Sequence, residues 1–336
     1  MTVAFITGVQ GQDGQLLSGV LRGRGVEVHG LVYQPGDQSS GQPGSVSPEL
    51  SDLPLLQGVH LHAGDLSNPD HLGQILREVR PNQIYNLGGI SSVGQSWSLP
   101  VETGLATGIG AVGVFREALG LQESTGDPVA VVQASSAEIF GSPLESPQTE
   151  ETVIAPVSPY GAAKAYAHFM AQSFRSRGLA VSNMIFYGHE SPLRPPTFVS
   201  RKITQAVARI SAGDPEPVSL GNIDAARDWG WAPDYVLAMT AAADKNAASG
   251  SGDDVIIATG EAHTVKDFLR AAFAYVGIED WERFVRIDPR FFRPVDPVTL
   301  VGDPSKAREI LGWQPNVGFE ELVGRMVQHD VDLLQA

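Results

Sequence analysis

Two residues spaced four apart could together oxidise a hydroxyl group. Tyr160 and Lys164 lie in the run Ser-Pro-Tyr-Gly-Ala-Ala-Lys at 158–164, and on a helix both side chains project from one face. An ammonium group beside a phenol favours the phenolate, so the pair predicts a tyrosine pKa lowered toward working pH and a base for a hydroxyl proton. Ordinary helices also carry this spacing, so the surrounding elements must decide between the two interpretations.

A second pair of polar residues, Ser136 and Glu138, follows the apolar run at 129–133. Side chains alternate along a strand, so these two share one side, and polar residues at the carboxyl end of a parallel strand face the ligand crevice. The hydroxyl could bond the oxygen being oxidised, and the carboxylate could remove a proton from carbon. The alternative is that both side chains only satisfy the amides of a turn.

The first strand must bring a cofactor to these residues. An apolar run at 3–7 leads directly into Gly8, Gly11 and Gly14. Gly8 would turn the chain off the strand, Gly11 would let the backbone approach a pyrophosphate, and Gly14 would let the next helix pack on the sheet. The spacing G-x-x-G-x-x-G predicts a dinucleotide site, with a glycine-rich turn that holds no ligand as the alternative.

Strand-like and helix-like patterns alternate as far as residue 186, which predicts an α/β fold with a Rossmann-type, doubly wound parallel sheet. The expected strands are Ala4–Thr7, Glu27–Val32, Val59–Ala63, Gln83–Asn86, Val129–Gln133 and Ala180–Phe186. The expected helices are Gln12–Arg24, Pro69–Val79, Val101–Leu119, Tyr160–Arg177, Phe198–Ala212, Ala232–Lys245 and Val265–Val276. We expect a Rossmann domain at 1–186 and a smaller lobe at 187–336, with some segments of the lobe returning to the first domain.

Two local sequence patterns predict a loop and a helix start. The stretch Gln34–Pro54 is rich in Gly, Ser, Pro and Gln, which predicts a mobile surface loop. Thr264 and Asp267 have the spacing of a capping box, which predicts a helix start at this position.

The composition excludes several classes of site and partner. The 336 residues carry a formal net charge of −15 and no cysteine. This disfavours nucleic acid and anionic lipid as partners and excludes disulfides and thiolate sites. No apolar stretch approaches the length of a membrane span and no secretory signal is evident, so we expect a cytoplasmic protein. His60 and His62 could share a strand face, but no third histidine or carboxylate lies at ligand spacing, so we expect no metal site.

With these residues in place, the chain closely resembles the GDP-mannose 4,6-dehydratase family, a branch of the extended short-chain dehydrogenases. The glycine motif and the Tyr/Lys pair are typical of the whole superfamily. His-Glu-Ser-Pro at 189–192 and Arg-Asp-Trp-Gly at 227–230 are typical of this branch. Further matching segments lie at 64–66, 84–88, 201–203, 220–222, 292–294 and 302–307.

The resemblance implies a nucleotide-sugar 4,6-dehydratase, with GDP-mannose as the expected substrate and NADP as the expected cofactor. Tyr160, assisted by Lys164, would take the C4 hydroxyl proton as hydride leaves, and Ser136 would hold the C4 oxygen. Glu138 would then remove the C5 proton, water would leave from C6, and hydride would return to C6. The implied cofactor contacts are Gly8, Gly11, Gln12, Asp13, Gly14, Asp65, Leu66, Leu87, Tyr160 and Lys164. The implied substrate contacts are Ser92, Glu190, Arg194, Lys202, Arg227, Arg293 and Asp296, with Arg227 and Arg293 on the pyrophosphate.

Some positions depart from the family's pattern. The family's arginines after the second strand hold the 2′-phosphate of NADP, and here residues 32–56 contain no Lys or Arg. NAD therefore stays an alternative to NADP. Where the family has a histidine after the fourth strand, this chain has Ser92, and where the family has an asparagine before His-Glu-Ser-Pro, this chain has Gly188. Arg194 stands alone where the family has two arginines, and Asp296 replaces the family's Glu beyond Arg293. The base and the hexose of the substrate therefore stay open.

Two other functions stay open at this point. One is a related epimerase or ketoreductase that oxidises with the same Tyr/Lys pair but eliminates no water and has no need of Glu138. The other is a catalytically silent sugar-nucleotide binder, which need not keep all four polar residues together.

The absence of these arginines also affects the expected oligomeric state. In members of the family, the arginines lie on a loop that reaches a neighbouring subunit of a tetramer. The loop Gln34–Pro54 lacks them, so we expect a homodimer paired through Val101–Leu119 and Tyr160–Arg177.

Overall fold

The computed structural model describes residues 2–33, 53–292 and 299–335. In this part of the chain the strands, numbered in order, are β1 Val3–Thr7, β2 Glu27–Val32, β3 His60–Ala63, β4 Gln83–Asn86, β5 Ala130–Ser136, β6 Ala180–Phe186, β7 Gly188–Glu190, β8 Val218–Leu220, β9 Ala226–Arg227, β10 Trp229–Trp231, β11 Asp254–Ile257, β12 His263–Thr264, β13 Val285–Ile287 and β14 Thr299–Leu300. The helices are α1 Gln12–Gly23, α2 Pro69–Val79, α3 Val93–Ser96, α4 Pro100–Thr125, α5 Pro159–Arg175, α6 Val199–Ser211, α7 Ala232–Ser249, α8 Val265–Tyr275, α9 Ser305–Leu311 and α10 Phe319–Gln335.

Seven of these strands form one sheet, in the order β11-β6-β5-β4-β1-β2-β3. Every neighbouring pair in this sheet is parallel. The chain winds outward from β1 through β2 and β3 and then returns to β4 on the other side of β1. Such a reversal opens a ligand crevice at the carboxyl ends of β1 and β4. The predicted α/β fold with a doubly wound parallel sheet is confirmed.

Helices cover both faces of the sheet with apolar side chains. On one face, Leu17 of α1 and Met239 of α7 belong to a single buried cluster with the strands. On the other face, Leu72 of α2, Phe115 of α4 and Ala167 of α5 form a second cluster. Burying a large apolar side chain contributes roughly 1.5–3 kcal/mol, so these contacts hold the helices on the sheet.

A third apolar core lies outside the sheet, where Ile203 of α6, Phe268 of α8 and Leu322 of α10 are fully buried. Two elements from the second half of the chain nevertheless belong to the sheet layer. The helix α7 packs on it, and β11 extends it beside β6. The sequence analysis did not predict β11, because a short apolar run is ambiguous until its partner strand is known. The boundary between residues 186 and 187 stays a prediction.

Most predicted elements agree with the structure to within a few residues, and two differences bear on the site. β5 continues past its expected end at Gln133, because Ser135 and Ser136 pair with β6. α4 extends the predicted helix Val101–Leu119 at both ends and contains the π-helical segment Gly104–Ile109. The predicted capping box at the start of α8 is also confirmed.

The predicted loop Gln34–Pro54 lies outside the described residues except for its last two. Pro54 begins a short 3₁₀ turn, and Leu56 of this turn is buried in the cluster that includes α1. The predicted mobility of the loop stays untested.

The expectation that no stretch is long enough to span a membrane needs a correction at α4. This helix has 26 residues, and its most apolar window has a mean hydropathy of 1.2. However, 56% of that window is buried inside the chain, where Val114, Phe115 and Ala118 pack under the sheet. Length and composition cannot separate a core helix from a span, and the packing of α4 indicates a core helix.

The expectation for the histidines of β3 is also corrected. His60 and His62 do not stand alone, because β2 brings His29 and Glu27 beside them. The ring of His29 stacks on both, with centroids 4.7 Å from His60 and 5.2 Å from His62. Spacing along the chain could not show this cluster, since β2 and β3 are separated by a long connection and meet only in the sheet.

Candidate active site

The glycine motif forms the tight turn that its spacing predicts. Gly8 has a φ of +69°, and a Cβ there would lie 2.8 Å from the Cα of Gly88. A Cβ on Gly14 would lie 2.5 Å from the Gly8 oxygen and from the Cα of Val9. Only glycine satisfies these approaches, so α1 can begin directly against β1.

The start of α1 is suited to a phosphate group. Gly11 is the N-cap and is exposed, and no side chain of the described residues caps the helix. The first amides of α1 therefore point toward the crevice with the positive end of the helix dipole. By contrast, the Ser158 hydroxyl caps α5 by accepting from the Gly161 amide at 3.0 Å. The turn fits the pyrophosphate of a dinucleotide.

Gln12 and Asp13 contact the segment that follows β6 rather than standing free in the crevice. The Gln12 amide donates to the His189 carbonyl at 3.1 Å and accepts from Ser191 at 2.8 Å. The Asp13 carboxylate lies 2.9 Å from Nε2 of His189. Burial acts to raise the pKa of Asp13, but His189 outweighs it, so the net shift is downward. Burial acts to lower the pKa of His189, but the Asp13 carboxylate outweighs it, so the net shift is upward and favours protonation of His189 beside that carboxylate.

A chain of buried hydrogen bonds lies below the crevice. The Thr7 hydroxyl donates to Asn86 at 2.6 Å, and the Asn86 amide donates to Gln133 at 2.6 Å. Thr7 also accepts from the Gly88 amide at 3.0 Å. These contacts join the ends of β1, β4 and β5, and the sequence analysis missed them. Polar residues at the last positions of apolar strands were the available signal.

Tyr160 and Lys164 project from α5 toward the end of β5, as predicted. The Tyr160 amide donates to the Ser96 hydroxyl at 3.2 Å, which joins α5 to α3. The Lys164 ammonium donates to the Ala134 carbonyl at 2.6 Å and lies 5.8 Å from the Tyr160 ring centroid. The Ser136 hydroxyl bonds the Tyr160 phenol and also accepts from the Glu138 amide at 3.3 Å. The structure therefore brings all four predicted catalytic residues together.

The predicted lowering of the tyrosine pKa is wrong for this arrangement. Burial raises the pKa of Tyr160 to about 12, and the negative charge of Glu138 adds to the rise, while the hydrogen bond from Ser136 opposes it. Burial also lowers the pKa of Lys164 to about 8, partly offset by the charge of Asp13. The spacing of the pair was correct, but burial of the phenol, which spacing along the chain cannot show, has the largest effect on its pKa.

The other predicted cofactor contacts lie around the same crevice. Leu66 is buried beside Gly88, and Leu87 packs on the cluster that contains α1. The Asp65 carboxylate accepts from the Ser67 amide at 2.8 Å, so it caps its own turn after β3. Contact of these residues with a cofactor stays a prediction.

The structure describes five of the seven predicted substrate residues, namely Ser92, Glu190, Arg194, Lys202 and Arg227. Ser92 caps α3 by accepting from the Gln95 amide at 3.2 Å. The Glu190 carboxylate is buried, accepts from the Ser200 hydroxyl and lies 3.2 Å from Nε of Arg194.

The other two described residues of this set are cations. The Lys202 ammonium lies 3.6 Å from the Phe291 ring centroid, and Arg227 on β9 donates to the Ala226 carbonyl at 2.8 Å. Arg293 and Asp296 lie outside the described residues.

Asp228, the second residue of the Arg-Asp-Trp-Gly motif, holds the loop that follows β11. Its carboxylate accepts from the Thr259 amide and hydroxyl at 2.8 and 2.7 Å and from the Gly260 amide at 2.9 Å. Burial raises its pKa to about 6, and these hydrogen bonds oppose the rise. Since it follows Arg227 directly, Asp228 fixes the backbone from which that arginine projects.

The family model for GDP-mannose 4,6 dehydratase matches residues 5–326. The chain belongs to the GDP-mannose 4,6-dehydratase family. Curated relatives include GDP-mannose 4,6 dehydratase 1 of Arabidopsis thaliana, 41% identical over 98% of this chain and 90% of that protein. GDP-mannose 4,6 dehydratase of Homo sapiens is 38% identical over 99% of this chain and 92% of that protein. The activity that these matches indicate for this family member is the 4,6-dehydration of a nucleotide sugar.

Solved structures agree with the fold of this dehydratase family member. A UDP-glucose 4-epimerase from Thermotoga maritima, solved with UDP-glucose, has a TM-score of 0.81 at 22% identity and covers 99% of this chain and all of its own. A dTDP-glucose 4,6-dehydratase from Bacillus anthracis, solved with NAD, has a TM-score of 0.78 at 18% identity and covers 98% of this chain and 96% of its own. At these identities the likeness establishes the fold alone.

Proposed function

We propose that this family member converts GDP-mannose to GDP-4-keto-6-deoxymannose with a nicotinamide cofactor, and that it does so in the cytoplasm. The observation that carries the proposal is the cluster of Ser136, Glu138, Tyr160 and Lys164 at the end of β5. It lies in a chain whose full-length relatives are GDP-mannose 4,6-dehydratases. A carboxylate beside the Tyr/Lys pair suits an elimination, which an epimerase or a simple binder does not perform.

The oxidation step belongs to Tyr160 in this proposal. When bound, the cofactor supplies the hydride acceptor and, in its oxidised ring, a positive charge. Tyr160 takes the C4 hydroxyl proton while Ser136 holds the C4 oxygen. Because burial keeps the pKa of Tyr160 at about 12, the phenolate needs positive charge close by, and Lys164 supplies it from the same helix face.

The elimination step belongs to Glu138. A ketone at C4 acidifies the C5 proton, and the carboxylate removes it and passes it to the C6 hydroxyl, which leaves as water. A hydride returned to C6 would be matched by a proton at C5, equivalent to the one taken from the C4 hydroxyl, so carbon is oxidised at C4 and reduced at C6 with no net consumption of cofactor. The short 3₁₀ turn Ala137–Ile139 sets the position of Glu138, since the Ser136 hydroxyl accepts from its amide.

Cations of the second lobe are proposed to hold the substrate diphosphate. Arg227 and Lys202 come from β9 and α6, and Arg293 follows Phe292 at the end of the described segment. A guanidinium fork matches phosphate oxygens, and an ammonium group binds them as a point charge.

The cofactor is proposed to be bound with weak discrimination between NADP and NAD. No Lys or Arg lies between residues 32 and 56 to hold a 2′-phosphate. Tyr33, just past β2, is 55% exposed and carries no charge. Titration with both cofactors tests this, and binding of NADP more than about a hundredfold tighter, nearly 3 kcal/mol, would refute it. Tyr33→Arg is expected to raise the affinity for NADP at least tenfold and leave that for NAD unchanged.

The decisive test of the activity is mass spectrometry after incubation with a panel of nucleotide sugars and each cofactor. We expect GDP-mannose to lose the mass of one water. Inversion at C4 with unchanged mass would instead indicate an epimerase. Binding of the sugar nucleotide with no product would indicate a silent binder.

A further inference from the structure

We propose that Glu27, His29 and His60 form a binding site for a divalent transition metal, at the opposite end of the sheet from the crevice. Glu27 and His29 lie at the start of β2, and His60 begins β3, which is the edge strand. The catalytic cluster lies at the carboxyl ends of the strands. The site is therefore separate from the dehydration reaction.

The three candidate ligands already stand close together. One ligand atom from each of Glu27, His29 and His60 lies within 4.8 Å of the other two. Nε2 of His29 is 3.0 Å from Oε1 of Glu27. Rotations of these side chains, which turn the His29 and His60 rings out of their stack, would place one ion about 2.0–2.2 Å from all three donors.

His62 gives the site an outer contact. Its Nε2 lies 2.9 Å from Nδ1 of His29. When Nε2 of His29 holds a metal, Nδ1 carries the proton and donates it to His62. A metal-bound histidine commonly donates its second ring nitrogen in this way, which fixes the ring and its tautomer.

The donor set selects the kind of ion. Two imidazole nitrogens and one carboxylate suit Zn²⁺, Co²⁺ or Ni²⁺, whereas Ca²⁺ and Mg²⁺ prefer oxygen ligands. His60 is exposed while His29 is only 12% exposed in its side chain. The ion can therefore enter from solvent and keep water at its remaining positions. Its ligands come from two strands, so binding would tie β3 to β2 and stabilise this sheet edge.

Calorimetric titration of untagged, chelator-treated protein with Zn²⁺ tests the proposal. We expect one ion per chain, with affinity reduced at least tenfold by His60→Ala and by Glu27→Gln. His71→Ala removes a histidine outside the cluster and should leave the affinity unchanged. His60 is exposed, so its replacement leaves the buried core intact, and circular dichroism verifies folding.

Two further measurements distinguish a metal-binding site from a cluster of stacked histidines that binds no metal. Co²⁺ should give visible absorption bands that His60→Ala loses, and Zn²⁺ should raise the melting temperature of the wild type but not of that variant. Dehydration by His60→Ala should stay within about twofold of wild type, because the site is remote from the reacting atoms. Zn²⁺ binding that is absent at about 100 μM, or equally tight in His60→Ala, would overturn the proposal.

Discussion

At the scale of single residues, Lys164 connects burial to the pH dependence of activity. Its pKa is lowered to about 8 from an ordinary value of 10.5, so the ammonium predominates below pH 8 and is lost as pH rises through that value. If the ammonium supports the ionised Tyr160, kcat/KM should fall above about pH 8. In Lys164→Arg the charge persists to higher pH, and the fall should move upward.

Profiles of kcat/KM from pH 6 to 10 test this expectation. Lys245→Arg is the matched control, since Lys245 pairs with Asp253 on the far side of the chain. An identical alkaline limb in the wild type and in Lys164→Arg would show that the lysine charge does not govern the step.

Glu138→Gln should separate oxidation from elimination. The amide cannot accept the C5 proton, so turnover should drop by about 10²–10⁴, and reduced cofactor should accumulate on the enzyme after the first step. Near-ultraviolet absorbance in a single turnover measures this. Glu151→Gln changes an exposed carboxylate of the same region and should behave as wild type. Normal dehydration by Glu138→Gln without reduced cofactor would remove Glu138 from the mechanism.

At the scale of elements, the close contact of α1 with β1 makes Gly14 intolerant of a side chain. A Cβ at Gly14 would meet backbone atoms of Gly8 and Val9 at 2.5 Å, and backbone cannot move aside. Gly14→Ala should lower the free energy of unfolding by roughly 1–3 kcal/mol and weaken cofactor binding. Gly23→Ala, in the same helix with nothing within 4 Å, should stabilise by up to about 1 kcal/mol.

Urea unfolding and cofactor titration measure both variants. If Gly14→Ala kept full stability and full cofactor affinity, α1 would not need its tight approach to β1, and the assignment of a phosphate site there would fail.

At the scale of the whole molecule, α4 and α5 present an apolar surface to solvent. Its exposed members are Val101, Leu105, Ile109, Tyr166 and Phe169, each at least 43% exposed. The helices are closely packed, since a Cβ on Gly108 would lie 3.4 Å from the Ala163 oxygen. Contiguous apolar surface of this kind marks an interaction site. We propose that two copies of the chain pair through it.

Ile109→Glu combined with Phe169→Glu should therefore give a monomer. Light scattering should find twice the chain mass of 35.7 kDa for the wild type and the single mass for the double variant. Leu333→Glu, at a 58% exposed apolar position on α10, should stay dimeric. A monomeric or stably tetrameric wild type would contradict the proposal.

The sequence by itself determined most of the parallel sheet, the glycine turn and the shared helix face of Tyr160 and Lys164. Strand and helix periods and the special backbone of glycine are local properties, and Tyr160 and Lys164 share a helix face at any tertiary arrangement. Only the tertiary structure decided the rest. The pKa of Tyr160 rises because the phenol is buried, and spacing along the chain does not show burial. Asp13 contacts His189 across 176 positions of the chain. His29 contacts His60 only because β2 and β3 are neighbours in the sheet. Contacts between distant segments and desolvation both depend on how the whole chain packs.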